Sequence, residues 1–120
     1  MLLPLVILCA ARPVAAPTAE EYYESSACQL PDGAAATSVS WVAQTPPKTW
    51  VKAQLRWAPT KAGLKQAAWH GPAGPGTWCA NGQAVGGGPK AGPWIQYRLA
   101  LGATNAAATP RVTEVEVRAE

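Results

Sequence analysis

Hydrophobic and polar residues alternate with a period of two along four stretches of the chain. In residues 49–58, TWVKAQLRWA, Val51, Ala53, Leu55 and Trp57 share one side of an extended chain, and Trp50, Lys52, Gln54 and Arg56 share the other. Residues 94–101 repeat the pattern, with Ile95, Tyr97, Leu99 and Leu101 opposite Trp94, Gln96, Arg98 and Ala100. TSVSWVAQ at 37–44 sets Val39, Trp41 and Ala43 against Ser38 and Ser40, and RVTEVEVRA at 111–119 alternates Val115 and Val117 with Glu114, Glu116 and Arg118. Each predicts a strand with one face packed and the other in water.

The segments between them carry turn chemistry. TPPK at 45–48 ends the first strand, because its two prolines cannot donate to a ladder. PTKAGLKQAAWHGPAGPG at 59–76 has room for a helical turn over residues 64–68, followed by a Gly-Pro surface loop. GTWCANGQAVGGG at 76–88 offers a short strand at 77–80, an Asn81-Gly82 tight turn and a flexible glycine loop. GATNAAATP at 102–110 joins the last two strands, which read as antiparallel neighbours. Twelve Pro and eleven Gly leave few windows of helix length. The expected fold is all-β, one domain: an antiparallel β-sandwich of jelly-roll type, with an open barrel as competitor.

Residues 1–16, MLLPLVILCAARPVAA, read as a secretory signal peptide, an apolar run ending in small residues. The run is too short to span a bilayer, so no transmembrane anchor is expected. Residues 17–27, PTAEEYYESSA, form a polar N-terminal arm, and residues 28–120 form the sandwich domain. The expected location is secreted or periplasmic. Without the leader, Cys28 and Cys79 remain, and an even pair in an exported chain reads as one disulfide. Closing a loop of about 50 residues would stabilise the fold by roughly 4 kcal/mol in the chain-entropy model. The rival reading makes Cys79 a nucleophile with His70 as base.

Charge excludes one class of partner. The chain without its leader keeps nine Lys and Arg against seven Asp and Glu, evenly spread, where a nucleic-acid footprint needs a basic cluster. The catalytic inventory is thin: one His, one Asp (Asp32) and six Glu. Glu114 and Glu116 lie about 7 Å apart on one strand face, but the expected role is solvated pairing with Arg98 or Arg56. No metal site, cofactor or enzyme activity is expected, since His70 stands alone and no acidic loop suits calcium.

Taken in order, four motifs resemble a known group: P-x-T-x-V-x-x-x-x-R at 47–56, A-x-W-x-G-P at 67–72, W-I-Q-Y-R-x-x-L at 94–101 and T-P-x-V-x-x-V-x-V at 109–117. The chain resembles the accessory β-sandwich domains of secreted bacterial glycan-processing and sialidase-like proteins. The resemblance implies a galactose-binding-like sandwich with a supporting or carbohydrate-contacting role and no active site of its own.

Six Trp and no Phe is unusual usage. Sugar rings present flat C–H patches, and an exposed indole flanked by hydrogen-bonding groups is the surface that buries them. Trp69 and Trp78 flank the Gly-Pro loop with His70, while Trp50 and Trp94 stand on polar strand faces with Arg56, Gln96 and Arg98. These eight are the candidate ligand-binding residues. Trp41 and Trp57, on apolar faces, are expected in the core. The functional expectation is a non-catalytic secreted binding module for a carbohydrate or cell-envelope component. The alternative is a structural or assembly subunit that docks another protein through an exposed sheet face.

Overall fold

The computed structural model describes residues 5–8, 20–86, 92–104 and 109–119, so most of the stretch read as a leader and Gly87 and Gly88 of the glycine loop lie outside the described residues. The described chain is all-β, with strands β1 (Leu5–Leu8), β2 (Glu21–Glu24), β3 (Cys28–Gln29), β4 (Ala36–Gln44), β5 (Thr49–Ala58), β6 (His70–Gly71), β7 (Gly74–Pro75), β8 (Trp94–Ala103) and β9 (Arg111–Ala119). They form two antiparallel sheets, a smaller one in the order β1-β9-β4 and a larger one in the order β2-β8-β5-β6-β7, with β3 also on β8. A 3-10 turn at Ala62–Gln66, two residues earlier than the helical turn expected at 64–68, buries Leu64. Among the described residues no helix is long and apolar enough to cross a membrane.

The two most regular amphipathic stretches find each other. β5 and β8 pair over their whole length, from Thr49 opposite Ala103 to Ala58 opposite Trp94. Directly opposite residues point to the same face, so Ala53 and Leu55 of β5 join Ile95, Tyr97, Leu99 and Leu101 of β8 on one buried surface. Val39 and Trp41 of β4 and Val112, Val115 and Val117 of β9 complete the same hydrophobic cluster, with Trp57 packed at its margin. Each buried Val, Leu or Ile side chain among them contributes roughly 1.5–3 kcal/mol by leaving water.

β8 and β9 are not neighbours, contrary to the sequence expectation. One edge of β8 is filled by β5 and the other by β2 and β3, so β9 pairs with β4 in the smaller sheet. β8 and β9 therefore lie in different sheets. Glu114 and Glu116 stand opposite Val42 and Ser40, away from Arg56 and Arg98, and the expected cross-strand pairs do not form. A register shift between Val42 and Ala43 lets Val112 and Val115, three apart, both face inward.

Residues 79–85 lace one side of the two sheets together. Cys79 bridges Ala53 of the larger sheet, and Ala84 bridges Ser38 of the smaller. Between them the Asn81-Gly82 turn, with Gly82 at φ 77°, does not close a hairpin within one sheet. Instead the Asn81 side chain serves as a partner for β4: its Oδ1 accepts from Trp41 N at 2.8 Å and its Nδ2 donates to Trp41 O at 2.8 Å.

The expected Cys28–Cys79 disulfide is not formed; Cys79 is a free, buried thiol. Topology explains this. Cys28 pairs with Ile95 on the far side of β8, whereas Cys79 lies beyond β5, opposite Ala53. Three strand spacings separate them, roughly 14 Å, against the limit of about 7 Å between bridged Cα atoms.

Tyr97 is fully buried and its hydroxyl has no hydrogen-bond partner among the described residues. Burial pushes the phenol above its ordinary range, and nearby Tyr23 adds to the shift. An unsatisfied buried hydroxyl costs more than a matched apolar atom, so Tyr97→Phe is predicted to raise unfolding stability by about 1 kcal/mol in urea titration. Asn81→Ala is predicted to lower it by about 1–2 kcal/mol, because two backbone groups of Trp41 lose their partner.

Candidate functional site

The outward face of the larger sheet gathers the chain's longest polar side chains. Register sets Gln54 opposite Arg98 and Arg56 opposite Gln96, and Glu24 of β2 lies across from Arg98 on the other edge of β8. The amides hold the guanidinium groups. Arg56 donates from Nε and Nη2 to Gln96 Oε1, at 2.8 and 2.6 Å, and Gln96 Nε2 donates to Ser25 O at 2.6 Å. Arg98 donates from Nη2 to Gln54 Oε1, while Gln54 Nε2 donates to Thr77 O at 2.9 Å. Gln54 is only 2% exposed and Arg56 9%, so these polar groups are covered.

Aromatic rings supply the cover. The Arg56 guanidinium carbon lies 4.2 Å from the Trp69 ring centre, and that of Arg98 lies 4.7 Å from Trp69, 5.1 Å from Trp78 and 5.1 Å from Tyr22. Trp78 stacks on Tyr22, 5.7 Å between centres and 15° between planes. Contacts of this kind contribute about 0.5–2 kcal/mol each, more as water is excluded.

The β6–β7 hairpin delivers the two indoles, with Trp69 before it and Trp78 after it. Its folding back depends on Gly71, where a Cβ would lie 2.1 Å from the Thr77 carbonyl oxygen. Thr77 Oγ1 donates to Gly74 O at 2.7 Å and accepts from Ala73 N at 3.2 Å, fixing the turn.

One end of the face is closed by Glu20. Its carboxylate accepts from Trp50 Nε1 at 2.8 Å and from the Tyr22 hydroxyl at 3.1 Å, and pairs with Lys52 Nζ at 3.2 Å. The Trp50 bond is the main reason that its carboxyl titrates below the ordinary 4.5, with Lys52 and Tyr22 adding to the shift against some desolvation. The other end opens into a cleft of about 630 Å³. Arg56, Gln96 and Glu24 of the sheet and Lys61, Leu64 and Lys65 of the helical turn and its lead-in line it.

Of the eight candidate residues, the structure brings together Trp69, Trp78, Arg56, Gln96 and Arg98. Trp50 lies at the Glu20 end, and Trp94 lies with Lys61 Nζ 6.0 Å over its ring. His70 is on the opposite face, beside Leu55 and stacked 4.3 Å from Trp57. Glu20, Tyr22 and Glu24 were hidden inside the presumed arm, although their own period-two spacing marks an edge strand. Among the described residues no cluster of His, Cys, Asp and Glu is arranged to hold a metal ion. Burial pushes the Cys79 thiol up, the opposite of what a nucleophile needs.

A carboxyl whose folded pKa is depressed stabilises the fold above its unfolded pKa and loses that contribution as pH falls through the folded value. Glu20→Gln is therefore predicted to cost under about 1 kcal/mol near neutrality. In urea titrations at a series of pH values, the gap to wild type should narrow as pH falls below the ordinary carboxyl value of 4.5 and through the lower folded one. No protein-family model matches the chain, and no curated protein or solved structure matches it.

Proposed function

We propose that the protein is a non-catalytic binding module, exported to the periplasm or medium, that takes a carbohydrate or cell-envelope component on the outward face of the larger sheet. Two antiparallel sheets over one shared core suit a sandwich of the galactose-binding-like kind. The observation that carries the reading is the open cleft of about 630 Å³ beside a polar wall already set by the Arg56–Gln96–Ser25 chain of hydrogen bonds. A concave site with a few fixed polar groups and an apolar lining, here Leu64, suits a small ligand.

The indoles act differently in this arrangement from the free platform that sequence alone suggests. Trp69 faces two guanidinium groups, and Trp78 faces Tyr22, Lys52 and Arg98. They hold the polar side chains in place, and the ligand seats in the cleft alongside.

A glycan array probed with the wild-type protein is expected to give specific retention. Trp69→Leu should weaken the retained ligand about tenfold, equivalent to about 1.4 kcal/mol, while circular dichroism stays β-type. A blank array, with one protein enriched in a pull-down, would replace this reading by the assembly role.

A further inference from the structure

We infer that the cleft recognises an acidic sugar, a uronic-acid-type residue whose carboxylate sits among Arg56, Lys61 and Lys65 while its hydroxyls meet Glu24 and Gln96. The inference rests on the glycan reading above and names its ligand class. Three cationic side chains and one carboxylate line the cleft, so it carries a positive excess.

Arg56 is the centre of that excess. It is 9% exposed, and a buried guanidinium ordinarily has a carboxylate partner. Among the described residues the ion pair on this face is Lys52–Glu20, at the far end, and Arg56 is held instead by a neutral amide and an indole. Burial foremost, and the like charge of Arg98, weigh against its charged form, and Glu24 only partly offsets them. An incoming carboxylate would relieve both, and guanidinium geometry matches a carboxylate.

Size and lining select a sugar over a bare anion. A cavity of about 630 Å³ exceeds what a small inorganic ion fills, and Leu64, Ala27 and Ala62 give apolar surface for ring C–H groups. Glu24 repels a multiply charged anion but accepts hydrogen bonds from hydroxyls. One negative charge on a polyhydroxyl ring fits all four features.

The test is isothermal titration of the full protein with oligosaccharides of galacturonate, mannuronate and glucuronate, each also as its methyl ester, and with sodium sulfate. The acidic form of at least one is expected to bind ten or more times tighter than its ester and to weaken with added salt. The Lys61→Ala, Lys65→Ala double variant, altering two exposed side chains, should lose about tenfold in affinity with its melting temperature unchanged. Equal binding of ester and acid, or displacement by sulfate at matched concentration, overturns the acidic-sugar assignment and leaves a glycan module standing. Full affinity in the double variant removes the ligand from this cleft. Failure of every glycan, neutral ones on the array included, overturns the proposed function itself.

Discussion

Arg98 stands on β8, between β2 and β5 in the larger sheet, with its guanidinium against Trp69, Trp78 and Tyr22 and bound to the Gln54 amide. Its Nε is buried and has no hydrogen-bond partner among the described residues. The other face of the same strand is fixed by the core, through Ile95, Tyr97, Leu99 and Leu101. Two arginines close together on the remaining face repel each other, and Glu24, the rings and the amides offset that repulsion. That compensation brings the β6–β7 hairpin back over the sheet and ties the Glu20–Tyr22 segment to its edge. It also fixes the orientation of Arg56 toward the cleft. Fold and site thus share one constraint, a sheet whose two faces are covered by different chemistry.

Much of the fold was legible because period-two patterning is a local property. β5 and β8 follow their sequence alternation residue by residue, and Trp41 and Trp57 lie on the core side as their spacing requires. Pairing is not local. The small residues of 102–110 suit a hairpin and a crossover equally, and only the saturation of both β8 edges decides that β9 goes to the other sheet. The disulfide expectation failed for the same reason, since cysteine count says nothing of how many strands lie between two thiols. In β9 the inward valines at 112 and 115 break strict alternation, and a bulge was needed to reconcile them.

The site was legible in kind. Strand patterning put Arg56, Gln96 and Arg98 on the polar faces of their own strands, and the structure joins those faces through the β5–β8 pairing and adds Trp69 and Trp78 above them. It separates His70, because the residue after Trp69 in an extended chain points to the opposite face. Glu20, Tyr22 and Glu24 were read as part of an acidic arm, where composition masked a short edge strand. The cleft itself was out of reach of sequence, because it arises where the helical turn meets β5 and β8. Leu5–Leu8, within the stretch read as a leader, pairs with β9 from Glu116 to Ala119, a contact that no composition rule anticipates.

The account turns on Arg98 being enclosed by rings, and proton–nitrogen NMR of the guanidinium reads that directly. It predicts a resolved, slowly exchanging Arg98 Nε–H signal, with side-chain protons displaced upfield by the ring currents of Trp69, Trp78 and Tyr22. Arg98 signals at free-arginine positions, exchanging with water as fast as those of an exposed side chain, would contradict it.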